Sequence, residues 1–146
     1  MRKQHLVFKL VGTHEEQMGA CDVRRRVFIE EQGVAEGIEM DDMDAVATHV
    51  VAKSGDMVVG TARFRLIGPD IGKIERMAVL KEWRRKRVGD GLLRFVIDEL
   101  RKLGIKEATL HAQARVKDFY RANGFEEVGE TFMEADIEHI EMRRLI

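Results

Sequence analysis

Residues 74–93, IERMAVLKEWRRKRVGDGLL, change character twice. An apolar start typical of a strand gives way to a basic turn. A glycine then opens a run in which Val88, Leu92, Val96, Leu100 and Leu103 recur at helical spacing before Gly104 stops it. The pattern predicts a strand over residues 71–80, a basic loop, and a long amphipathic helix. A helix N-terminus presents unpaired N–H groups and the positive end of its dipole, so this junction suits a phosphate-bearing ligand. Two phosphate loops are excluded, because neither G-x-x-x-x-G-K-[ST] nor the three spaced glycines of a dinucleotide fingerprint occurs here.

Working outward, residues 105–112 (IKEATLHA) read as a strand and residues 117–123 as a short helix ended by Gly124. Residues 125–132 and 138–146 read as two closing strands. Upstream, residues 5–11 form a first strand, and residues 15–31 a helix with Met18, Cys21, Val23, Val27 and Phe28 on its apolar stripe. The acidic stretch 33–44 reads as a loop or short second helix. Residues 45–53 and 57–67 flank Ser54-Gly55-Asp56 as a hairpin, and Gly68-Pro69-Asp70 makes the next turn. The order β-α-(α)-β-β-β-α-β-α-β-β predicts an α/β fold, a mixed sheet with helices on its faces. With no repeat or linker, residues 1–146 read as one domain.

Hydrophobic residues make up 45% and charged residues 35%, a globular composition. Twenty-five basic against 26 acidic residues leave no overall field favouring nucleic acid. The local sum of +4 over residues 81–87 therefore stands out. The single cysteine, Cys21, excludes an internal disulfide and a cysteine-cluster metal site, and fits a reducing compartment. Lys9, His14, Glu15 and Glu16 interrupt any signal-peptide core, and no apolar run approaches membrane-spanning length. A cytoplasmic protein without membrane or nucleic-acid partners is expected.

The loop Arg84-Arg85-Lys86-Arg87-Val88-Gly89 resembles the [RQ]-x-x-G-x-[GA] cofactor loop of the Gcn5-related N-acetyltransferase (GNAT) superfamily, with Arg87 at the place of the first glycine. Downstream, Phe119-Tyr120-Arg121-Ala122-Asn123-Gly124-Phe125 resembles that family's F-Y-x-x-x-G-F block, at the expected separation. Two motifs in register carry more weight than either alone. Residues 26–32 (RVFIEEQ), Asp41 with Asp44 and His49, Leu110-His111-Ala112-Gln113, and His139 with Met142 are similar to the ElaA/YjcF-like branch. The resemblance implies the acyl-CoA N-acyltransferase fold, a mostly antiparallel sheet of six to seven strands with about four helices.

It further implies acetyl-CoA as co-substrate and a small-molecule or peptide amine as acceptor, attacked directly without a covalent enzyme intermediate. Met77, Ala78 and Val79 would pair with the pantetheine arm, and the backbone of Arg84, Arg85, Lys86, Arg87, Val88 and Gly89 would hold the pyrophosphate. Gln113 stands where many relatives have a cofactor-contacting Asn. Tyr120, the only tyrosine, matches the general acid that protonates the departing thiolate. Glu75, placed by strand alternation on one face with Met77 and Val79, is a candidate base or an ordinary ion-pair partner. His49 is a second candidate base or a satisfied core residue.

His111 and His139 show no carboxylate–histidine spacing, and no H-x-x-x-H cluster occurs, so no metal is expected. Acceptor contacts are expected from Phe28, Glu30, Gln32 and His49, with Arg24 nearby. The acids Asp41, Asp42 and Asp44 would either attract a cationic amine such as a polyamine or lysine, or form a solvated, helix-capping loop. A homodimer is a family-level expectation. Two rival functions remain at this point. One is a CoA-binding sensor of weak activity, suggested by Arg87, and the other a nucleic-acid binder resting on Arg84–Arg87, which the charge balance disfavours.

Overall fold

The computed structural model describes residues 5–146, so the basic start at Arg2 and Lys3 lies outside the described residues. The strands are β1 (Leu6–Leu10), β2 (Thr48–Ser54), β3 (Met57–Leu66), β4 (Ile71–Val79), β5 (Glu107–Gln113), β6 (Glu126–Glu134) and β7 (Ile137–Leu145). The helices are α1 (His14–Arg24), α2 (Glu36–Glu39), α3 (Val88–Lys102) and α4 (Lys117–Ala122). One sheet runs in the order β1-β2-β3-β4-β5-β7-β6, and every pair is antiparallel except β4 with β5.

The periodicity of α3 explains its packing. Val88, Leu92, Leu93, Val96, Ile97 and Leu100 are buried against Val50, Phe64, Ile74, Leu110 and Ala112 on one face of the sheet. On the other face, Ala20, Val23, Val27 and Phe28 pack on Val51, Val58 and Ala78. Helix α1 starts with a capping box, in which Thr13 Oγ1 accepts from Glu16 N and the Glu16 carboxylate accepts from Thr13 N. The same carboxylate binds Lys9 of β1 and Lys53 of β2, tying this helix to the sheet.

Three local features depart from the sequence reading. The expected helix over 15–31 changes form at Arg25, and Arg25–Glu31 is π-helical. Residues 42–45 make a 3₁₀ turn capped by the Asp41 side chain, so β2 begins at Thr48 rather than at residue 45. The third departure matters most. Thr61 pairs with Ala78 but Arg63 with Glu75, so Ala62 faces two residues of β4, and Arg76 in this bulge takes φ +55°. The bulge breaks the alternation expected along β4. Glu75 faces Arg63 and Ala78 joins the core under α1, whereas Met77 and Val79 pack with the α3 core.

Candidate active site

The parallel pair is short. Ile71 to Ile74 pair with Glu107 to Leu110, and there the pairing ends although both strands continue. Beyond Ile74 and Leu110 the strands part, because β3 holds Ala78 and Val79 while β7 holds Ala112 and Gln113. A cavity of about 1030 Å³ occupies the gap, reaching from the start of α3 to the β6–β7 turn.

The basic loop forms one end of this cavity. Arg85 and Arg87 adopt left-handed conformations, at φ +62° and +63°, where glycine is the usual residue. The Arg87 side chain is exposed on the cavity wall and makes no hydrogen bond with the described residues. Gly91 N closes the first helical bond onto Arg87 O, which leaves Val88, Gly89 and Asp90 N–H without acceptors among the described residues. All three residues line the cavity. A side chain on Gly89 would meet Phe119 Cζ at 3.1 Å, so any larger residue would require Phe119 to shift. The Arg84 guanidinium turns away to Glu31, at 2.9 and 3.0 Å, and to Val79 O at 3.0 Å. Lys86 sits over the Trp83 ring and does not line the cavity.

Tyr120 enters from α4. Its hydroxyl lies 3.8 Å from Met77 Sδ, on the stretch of β4 that has left β5. Phe119 and Phe125 pack edge-on against the ring, with centroids 5.0 and 6.1 Å away. Burial pushes the phenol up to about 12, so it carries its proton through the neutral range.

The face under α1 is charged beneath an apolar rim. Glu75 lines the cavity, yet its carboxylate is held by Arg65 Nε at 2.8 Å, Arg63 Nε at 3.4 Å and Lys73 Nζ at 3.7 Å. Burial acts to raise its pKa, but the Arg65 hydrogen bond and the surrounding cations outweigh that and hold it below the ordinary value. Within the acidic stretch Asp42 stays exposed and Asp41 caps the 3₁₀ turn, while arginines engage Glu39, Asp41 and Asp44. Asp44 and Glu39 pair with Arg24, Asp41 and Asp44 with Arg63, and Glu39 and Asp41 with Arg76. Arg24 and Arg63, each 1% exposed, are the buried hubs. Neither Arg24 nor Arg63 belongs to the cavity wall.

His49 and Glu30 lie outside the cavity wall. The His49 Nε2 bonds Asp44 O at 2.8 Å and fixes the 3₁₀ turn, while the exposed Glu30 borders a shallow surface depression with Arg26 and Lys81. Phe28 and Gln32 do line the cavity. Gln32 exchanges amide hydrogen bonds with Gln113, at 2.9 and 3.4 Å, so the end of the π-helix bridges to the end of β5.

The structure also assembles a group that spacing did not reveal. Ala135 and Asp136 make a two-residue turn, both at positive φ, which registers Phe132 against His139 and Glu134 against Ile137. Glu134 Oε1 then lies 3.0 Å from His111 Nδ1, and Oε2 lies 3.7 Å from His139 Nε2. Phe132 packs edge-on to His111 and stacks on His139. His111, Glu134 and His139 all line the cavity. Reading the final strands as 125–132 and 138–146 left Glu134 in a loop. The Ala135-Asp136 turn and the bulge between Val128 and Phe132 set this register, and linear spacing carries no signal for it.

Comparison with known proteins gives a consistent picture. Residues 13–146 match the family model described as Acetyltransferase (GNAT) domain. YjcF of Bacillus subtilis (strain 168), described as an uncharacterized N-acetyltransferase, is 31% identical over 137 residues, covering 92% of this chain and 97% of its own. Protein ElaA of Escherichia coli (strain K12) is 30% identical over 126 residues, covering 84% and 82%. The ElaA crystal structure superposes with a TM-score of 0.84 over 96% of this chain and 99% of that chain, at 23% identity. A GNAT family acetyltransferase from Elizabethkingia anophelis, solved with acetyl-CoA bound, superposes with a TM-score of 0.73 at 13% identity, covering 99% and 100%.

Proposed function

The chain belongs to the GNAT acetyltransferase domain family, in the branch that includes ElaA and YjcF, and from that premise we propose that it moves an acetyl group from acetyl-CoA to a primary amine of a small molecule or peptide by direct attack. Membership makes it an acyltransferase with acetyl-CoA as co-substrate. The observation that carries the reading is the parting of β4 from β5 at Ile74 and Leu110, with the Tyr120 hydroxyl beside Met77 on the freed strand.

The residues present fit acetyl-CoA. The edge of β4 that β5 abandons can pair with the amides of a pantetheine arm through Met77, Ala78 and Val79. Three free N–H groups at Val88, Gly89 and Asp90, ringed by Arg85 and Arg87, suit a pyrophosphate. Arg84 serves this site by fixing the loop to Glu31 and Val79, and Lys86 by bracing Trp83. Acetyl-CoA supplies the activated thioester. The protein's share is to hold the amine in line, keep water out, and place a proton at the departing sulfur. A half-buried, protonated Tyr120 suits that last task. The apolar rim of Phe28, Val34, Ile38 and Ile137, above acids already engaged by arginines, favours an amine with an apolar body over a polycation.

Tyr120→Phe tests the acid. We expect acetyl-CoA affinity within about threefold of the unsubstituted protein and amine-dependent turnover lower by about 10²–10⁴-fold, the range for a lost general acid. Calorimetry and thiol release measure the two separately, and unchanged turnover would remove Tyr120 from the reaction.

A further inference from the structure

We infer that His111, held by Glu134, is the base that receives the proton of the attacking amine. This rests on the amine-acetylation reading above. Lys73 pairs with Thr109 and Ile74 with Leu110, so Glu75 on β4 and His111 on β5 are the first residues past the point where the strands part. Leu110 and Ala112 belong to the core under α3, so His111 between them faces the α1 side, as Glu75 does. Tyr120 approaches from the α3 side, where it packs with Met77. Acid and base candidates thus flank the same gap from opposite faces. That arrangement suits a nucleophile entering on one side while the leaving group is protonated from the other.

Besides His111 and its partner Glu134, the cavity wall on the amine's side carries His139 and Glu75; His139 is only 7% exposed with Nε2 turned to Glu134, and Glu75 is committed. A proton placed on its carboxylate would surrender contacts with Arg65, Arg63 and Lys73. His111 has no such commitment. A carboxylate only accepts, so the 3.0 Å contact from His111 Nδ1 to Glu134 Oε1 places the imidazole hydrogen on Nδ1 and leaves the lone pair on Nε2. Nε2 makes no hydrogen bond with the described residues, and the side chain is 30% exposed on the cavity wall. The edge of the ring against Phe132, 5.0 Å between centroids, fixes its tilt. Glu134 is a positioning residue, setting the tautomer and stabilising the imidazolium.

The step balances. The amine nitrogen bonds to the acetyl carbon as the carbon–sulfur bond breaks, His111 Nε2 takes the proton lost by nitrogen, and Tyr120 gives one to sulfur. The titratable and charged groups around His111 are Glu134 on β6, Glu141 and His139 on β7, and Glu75 and Lys73 on β4. A protonated imidazole cannot act as base, so His111 must be neutral when the amine attacks.

The test uses thiol release from acetyl-CoA with benzylamine, tyramine, an N-acetylated lysine amide and spermidine as acceptors. His111→Asn should lower amine-dependent kcat by about 10²–10⁴-fold and alter its pH profile, with acetyl-CoA affinity within about threefold. Glu134→Gln should lower kcat about tenfold and displace that profile. Histidine NMR of the unsubstituted protein should show the Nδ1–H tautomer at His111. If the unsubstituted protein acetylates none of the amines, the parent reading fails and this one with it. If it does transfer while His111→Asn keeps turnover within about threefold, the base assignment alone is overturned. Should His111→Asn lose acetyl-CoA binding, Glu134→Gln and the tautomer decide. Unchanged Glu134→Gln kinetics, or an Nε2–H tautomer, would overturn the assignment.

Discussion

Arg87 shows how a single residue can contradict a motif without breaking its geometry. The family's glycine allows φ > 0 without cost, and arginine at φ +63° carries strain of about 1 kcal/mol. The exposed side chain stands on the cavity wall without a hydrogen bond to the described residues, so it can swing aside or toward a phosphate. Arg87→Gly should therefore leave acetyl-CoA affinity within about tenfold, the scale of one exposed charge contact. A calorimetric titration checks this, and a gain of roughly several hundredfold would mean the arginine had been blocking the loop. Tyr120 was identifiable in the sequence through its motif, but His111 and Glu134 were not recognisable as a pair. Their proximity depends on the register of β5, β7 and β6 across a two-residue turn, which no linear spacing encodes.

Between elements, close approach decides composition. Gly19 lies inside α1, where alanine would gain about 1 kcal/mol in helix propensity. A Cβ there would meet Val58 Cγ2 at 2.6 Å and Val58 Cβ at 2.9 Å. Val58 Cβ is fixed to the backbone of β3, so relief requires moving α1 or the strand, at about 1–3 kcal/mol. Packing wins, and Gly19→Ala should lower stability in a urea titration despite the better helix former. An increase would show that α1 rides loosely on β3. Helix α3 was legible from its period because one buried stripe dictates the pattern. The bulge in β4 was not, since an arginine rather than a glycine occupies φ +55° at position 76. Nor was the π-helical stretch, whose residues have no helical preference distinct from those of α1.

Across the whole molecule, charge is structural more than superficial. Sequence alone reads residues 39–44 as surface acids, because charged residues are rarely buried unless paired and the partners Arg24, Arg63 and Arg76 lie far along the chain. Glu16, pulled to about 2 first by Lys9, joins β1, β2 and α1, and Asp41, pulled to about 2 first by Arg63, joins the α2 region to β3. Both folded values lie below the ordinary 4.5 and 3.8, so their stabilisation is complete above those values and lost as pH falls toward 2. Tm should therefore fall steeply from about pH 4.5 downward, and Glu16→Gln should flatten part of that slope. A slope unchanged by the substitution would contradict the role of Glu16.

The roles proposed for Tyr120 and His111 both require that acetyl-CoA lie in the gap between β4 and β5 and give its acetyl group to an amine. Thiol release from saturating acetyl-CoA by the intact protein, followed as amine concentration rises, tests it most directly. The rate should climb and saturate with amine, and the product should be heavier than that amine by one acetyl group. Tight binding of acetyl-CoA with no amine-dependent release would contradict it and leave a CoA-sensing module instead.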